Sequence, residues 1–89
     1  MWFGGHVRKR SQSTTARLLL GARVKELRLE RGWLQRELAA NADIGDRSSI
    51  SEIERGQANP GLETLLSLAA AFEIGLLELL ADLEDLELE

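Results

Sequence analysis

Glycine, alone or paired with proline, punctuates nearly every helix-like stretch of this chain, and that punctuation restricts the fold more than any other feature. Gly32 follows a cation, Arg31, at the end of an apolar period. Gly45 bends the stretch "DIGD", Gly56 follows "SSISEIER", Pro60 and Gly61 precede "LETLLSLAAAFEI", and Gly75 interrupts the chain ahead of Leu76. Between these breaks the apolar residues keep a helical period. Leu20, Val24 and Leu27 recur at i, i+4 and i+7, with Arg23, Lys25, Glu26 and Glu30 on the remaining faces. "WLQRELAANA" carries Leu38, Ala39 and Ala42, and the fourth stretch turns Leu62, Leu65, Leu68, Ala69 and Phe72 inward. From Leu76 to about Leu83 a fifth helix is expected, with leucines around more than one face. No internal repeat and no strand-like alternation compete, and the terminal "LEDLELE" is too acidic to build a sheet. The expected class is all-α.

The second and third helices are short and joined by a tight turn. Ile44 is expected to plug the core, Gly45 to bend the backbone and Asp46 to cap the third helix, which runs from Arg47 to about Arg55. Ile50 and Ile53 share one face of that helix, leaving Ser48, Ser49, Ser51 and Glu52 on the others. A helix, a short turn and another short helix form a helix-turn-helix pattern whose second member offers a polar reading face.

The 89 residues suffice for one small domain, which a partner subunit would help to stabilise. With no cysteine, disulfides and thiolate metal ligands are excluded; His6 alone builds no metal site, and no metal or other cofactor is expected. Catalysis is not expected either: Ser51, Glu52 and Glu54 have no histidine base within the domain, and "GDRSS" lacks a P-loop's lysine and spacing. Apolar runs are too short to span a bilayer, so a cytoplasmic protein without membrane association is expected. The net charge of −4 hides an asymmetry. Residues 1–60 hold all 11 Lys/Arg against 7 Asp/Glu, whereas residues 61–89 hold 8 acids and no base. Binding depends on local field, so the first sixty residues remain suited to a polyanion.

Residues 1–15 mix glycines, polar residues and the cluster Arg8, Lys9, Arg10 without periodicity, and read as a flexible basic arm, either a plain tail or a contact to DNA. Trp2 and Phe3 are candidates to tuck against the domain. A helix is then expected from about Thr15, residues 16–83 form the domain, and residues 84–89 an acidic tail.

The segments "LGARVKELRLERGW", "LQRELA", "SSISEIERG" and "NPGLETLLSLAAAFEIGLLELL", in this order and spacing, resemble the lambda-repressor/Cro-like, Xre-type helix-turn-helix domain. The resemblance implies a compact five-helix bundle whose third helix lies in the DNA major groove while the second crosses the backbone. It carries base reading to Arg47, Ser48, Glu52 and Asp46, with Ser49 and Ser51 close by. Arg47 is the foremost of these, because a guanidinium donates bidentately to guanine. Gln35, with Arg36 beside it, matches a phosphate-gripping position, and Arg55, Gln57 and Asn59 are further phosphate candidates. Arg28 and Glu54 match a structural ion pair linking the first helix to the third.

Departures are Leu34 in place of a Ser/Thr cap, Gly61 and Gly75 at similar cap positions, and one extra residue near Gly45 in the turn before the third helix. The function implied is sequence-specific regulation of transcription, in the manner of a small repressor, an autoregulator or a restriction-modification controller. The protein would act in a bacterium or phage, at the nucleoid, as a homodimer on an inverted repeat of double-stranded DNA. Leu76, Leu77, Leu80 and Leu83 would form the dimer interface, and RNA polymerase is a further partner. The competing reading is a protein-interaction module of the same fold, for which the acidic final third is the support.

Overall fold

The computed structural model describes residues 4–84 and 86, with side chains from Thr14 onward. Five α-helices succeed one another: α1 (Gly4–Glu30), α2 (Gln35–Ala42), α3 (Arg47–Glu54), α4 (Leu62–Phe72) and α5 (Leu76–Leu79), then a 3₁₀ turn at Ala81–Leu83. No strand occurs among the described residues. α3 packs against both α1 and α2, α2 packs on α4, and α5 with the 3₁₀ turn folds back onto α1.

The core contains the periodic residues: Leu20, Val24, Leu27, Leu38, Ala39, Ala42, Ile50, Ile53, Leu68, Ala69, Phe72 and Leu79. Helices of eight to eleven residues are marginal alone, so α2, α3 and α4 owe their persistence to this shared burial. Their ends are stopped by one device. After each of the first four helices a left-handed residue is followed by a residue whose N–H reaches back to the helix. The left-handed residues are Gly32, Asp43, Gly56 and Glu73, at φ of 70°, 57°, 73° and 60°. The next N–H groups are those of Trp33, Ile44, Gln57 and Ile74, donating to Arg28, Ala39, Glu52 and Ala69 carbonyls at 2.9–3.1 Å. Trp33, Ile44 and Ile74 then pack against the core. Gln57 is the exception, polar and exposed.

The α1–α4 junction is also clamped. Arg31 donates to the carbonyl oxygens of Leu27 (3.0 Å) and Phe72 (2.8 Å), and its guanidinium lies 5.0 Å from the Phe72 ring centroid. Phe72 stacks on Trp33 at 5.9 Å between ring centroids.

Three expectations need correction. α1 begins at Gly4 rather than near Thr15, so the backbone of residues 4–15 is helical and not an irregular arm. No proline interrupts that stretch, and its Arg, Lys and Gln residues favour helix while the run of Ser and Thr costs only tenths of a kcal/mol each. Trp2 and Phe3 lie outside the described residues, as do Asp85 and residues 87–89 of the acidic tail. The fifth helix stops at Leu79, because Leu80 departs from α geometry (φ −95°, ψ 11°) and the chain tightens into the 3₁₀ turn. Leu62 points to solvent, since at the first position of α4 no neighbouring element lies over it.

Candidate nucleic-acid interface

α3, the helix expected to read DNA, is shaped by its two ends. At the start, Asp46 adopts an extended conformation and its Oδ1 accepts from the backbone N–H of Ser48 (2.9 Å) and, more weakly, Ser49 (3.4 Å). One Asp46 oxygen is thus committed to capping. Ahead of it Gly45 sits at φ 36°, so close to Ser49 that an added Cβ would stand 2.6 Å from Oγ. The extra turn residue therefore has to be small and conformationally free.

At its far end α3 is tied to the rest of the domain through Glu54. Arg28 of α1 donates from Nε to Glu54 Oε2 (2.6 Å) and from Nη2 to Oε1 (3.1 Å), while its Nη1 donates to the Trp33 carbonyl (2.7 Å). Gln35, the first residue of α2, adds a bond from Nε2 to Glu54 Oε1 (3.0 Å). Both charged side chains are withdrawn from water, with exposures of 9% and 4%. A charge pair so placed persists because each group is almost fully hydrogen-bonded, and it fixes α3 relative to α1 and α2.

With Ile50 and Ile53 in the core and the Glu54 side chain turned toward α1 and α2, one polar face of α3 is left outward. Arg47, Ser48 and Glu52 are exposed, and Ser49 and Ser51 are half-buried. Gln35 is half-buried and its amide keeps a second N–H and the carbonyl oxygen beyond the bond to Glu54. Arg36, next on α2, is exposed, as are Arg55, Gln57 and Asn59 where α3 leads into α4. The reversal at Gly56 places Gln57, through its N–H bond to Glu52 O (2.9 Å), directly beyond the end of α3. Exposed hydrogen-bonding side chains on α3 are thus flanked by cations and amides from α2 and the α3–α4 loop. Side chains of this kind bond base edges and phosphate oxygens.

Residues 24–79 match the model of the helix-turn-helix family HTH_3. The chain belongs to that family. Among its relatives, the HTH-type transcriptional regulator DdrOP3 of Deinococcus deserti is 44% identical over 62 residues, covering 70% of this chain and 47% of that protein. The chain therefore spans about half the length of that regulator. The uncharacterised HTH-type transcriptional regulator y4dJ of Sinorhizobium fredii is 33% identical over 69 residues, covering 78% of this chain and 88% of the relative. In structure, the restriction-modification controller protein C.AhdI from Aeromonas hydrophila superposes with a TM-score of 0.70 at 38% identity, covering 74% of this chain and 94% of the controller.

Two features of this family member are not evident from sequence. Gly21, midway along α1, lies against the backbone of α3. Its signal is a glycine beside the buried period of Leu20 and Val24, where a helix gains nothing from glycine unless another backbone approaches. The bond from Gln35 to Glu54 carries no signal at all, since nothing in the spacing of the two residues brings them together.

The residues expected at a dimer interface are unequal. Leu77 is 84% exposed, Leu83 is half-buried, and Leu76 and Leu80 are half-buried against the core. Leu77, Leu80 and Leu83 nevertheless line one groove, with Ala81 and Glu84. No helix among the described residues is long and apolar enough to cross a membrane.

Proposed function

We propose that this chain is a sequence-specific DNA-binding regulator of transcription that acts as a homodimer on an inverted repeat. The observation that carries the reading is the mounting of α3. Its polar face is exposed, its first turn is capped by Asp46, and its anchor at Glu54 fixes its position against α1 and α2. A helix that recognises base edges must be held in this way, because ordering it on contact would cost affinity. Arg47 reads a guanine, Ser48, Glu52 and the free oxygen of Asp46 test neighbouring bases, and Ser49 and Ser51 assist. Gln35, Arg36, Arg55, Gln57 and Asn59 hold phosphates on either side and set the register. The groove around Leu77, Leu80 and Leu83 takes the second copy, placing two reading helices about 34 Å apart. Control then depends on protein concentration and on whether the bound dimer blocks or contacts RNA polymerase.

The test is selection from a random duplex pool by the wild-type protein and by Arg47→Ala. An inverted repeat enriched by the wild type, with one position blurred in the variant, supports the proposal. Failure to enrich any sequence at low salt would favour a protein-interaction module on the same fold.

A further inference from the structure

We infer that the amino-terminal extension of α1 is a second DNA-contacting element, which binds phosphates flanking those held by the α3–α4 loop. The inference rests on the DNA-binding reading above and deepens it. α1 is 27 residues long, about 40 Å at the helical rise, in a molecule whose principal extents are 47 × 23 × 20 Å. Its early turns lie outside the family match, which begins at Val24. Arg8, Lys9 and Arg10 are carried on this stretch.

Two contacts fix where the stretch departs from the domain. Leu18 lies against Gly56, at the end of the reading helix: a Cβ on Gly56 would stand 2.6 Å from Leu18 Cδ2 and 3.1 Å from its Cα. One residue earlier, Arg17 shares a cleft with Asn59 and Pro60 of the α3–α4 loop. α1 therefore leaves the bundle beside the loop assigned to the DNA backbone. Arg10 occupies a position seven residues before Arg17, on the same helical face and about 10 Å further along the axis. Lys9 and Arg8 succeed it at steps of 100°, so the three positions together cover more than half the circumference of the helix.

The three cationic positions are clustered about 10 to 14 Å beyond Arg17 along the helix axis, past the uncharged residues 11–16, a reach of about three to four base pairs of backbone at roughly 3.4 Å per pair. DNA is the occupant that charge favours. The extension holds three cations and no acid between Gly4 and Ala16, whereas the residues after Pro60 are uniformly acidic among their charges.

The experiment compares wild type with the triple variant Arg8→Gln/Lys9→Gln/Arg10→Gln, which retains good helix formers. Affinity for the duplex enriched by selection is measured across 50–200 mM salt, with six base pairs added to or removed from each flank. The expected result is a salt slope shallower in the variant by about 0.9 for each phosphate that a protomer no longer neutralises, together with a dependence on flank length that only the wild type shows. Equal slopes and equal flank dependence would overturn the extension's role while leaving DNA binding by α3 intact. A variant that binds DNA less well only because it has become monomeric by sedimentation would assign the extension to protein contact and overturn the inference. A wild-type protein that prefers no duplex would overturn both readings.

Discussion

Gly21 of α1 lies directly on the carbonyl groups of Ile53 and Glu54, the last turn of α3. A Cβ at this position would strike the Ile53 oxygen and stand 2.6 Å from the Glu54 oxygen. The obstruction is backbone, so neither partner can swing a side chain away. Gly21→Ala should therefore force α1 and α3 apart, lowering stability by about 1–3 kcal/mol despite alanine's better helix propensity. Urea unfolding measures the first effect. Because the same displacement moves α3, the helix proposed to read bases, affinity for the selected duplex should also fall in conditions where the variant is still folded.

Arg28 meets Glu54 one step further along the same junction. Removing the guanidinium in Arg28→Met leaves a carboxylate that is 4% exposed with, among the described residues, only the Gln35 amide as partner. The expected loss is about 3–5 kcal/mol, which corresponds to a fall of more than about 10 °C in melting temperature for a domain of this size. Pairing the change with Glu54→Met removes the stranded charge, and the double variant should recover part of the loss. A single variant that melts with the wild type would show that the buried pair contributes nothing to the fold.

Periodicity and punctuation reveal the helices and nearly all of the core, because Leu20, Val24, Leu27, Leu38, Ile50, Ile53, Leu68 and Phe72 are spaced at helical intervals and bounded by residues that stop helices. The features that sequence hides depend on distances across the fold. Gly21 looks like a weak point in α1 until α3 is laid against it. Leu62 fits the apolar period of α4, but being at the first position it has no element above it. The start of α1 is ambiguous because Ser13, Thr14 and Thr15 resemble caps as readily as they occupy a helix interior. For the interface, the residue types on α3 are legible from the polar face opposite Ile50 and Ile53. The commitment of one Asp46 oxygen to capping and of the Gln35 amide to Glu54 arises only from how the helices pack.

Leu77 and Leu79 are two residues apart on α5 and differ in what surrounds them. Leu77 is 84% exposed and Leu79 is 1% exposed. Leu77→Lys should leave the stability of the monomer within about 0.5 kcal/mol of wild type, yet halve the mass seen by sedimentation equilibrium at micromolar concentration. Leu79→Ala should cost about 2–5 kcal/mol through the cavity it opens. If Leu77→Lys sediments as the wild type does, the proposal that the groove beside it holds a second copy fails.

The helix ends supply a prediction in the opposite direction. Gly32 and Gly56 hold the left-handed position at φ 70° and 73°, but the same position after α4 is filled by Glu73 at φ 60°. A non-glycine residue there carries a Cβ close to its own carbonyl, at a cost of about 1–2 kcal/mol that glycine avoids, offset in part by glycine's greater freedom in the unfolded chain. Glu73 is exposed, and its carboxylate forms neither a hydrogen bond nor an ion pair with the described residues that would compensate. Glu73→Gly should raise stability by roughly 0.5–1 kcal/mol, visible as a melting temperature higher by several degrees, while Glu73→Val, whose branched side chain tolerates the left-handed region least, should lower it. Opposite shifts from these two substitutions would establish the conformation at position 73 as the cause, because loss of the negative charge is common to both and predicts shifts of the same sign.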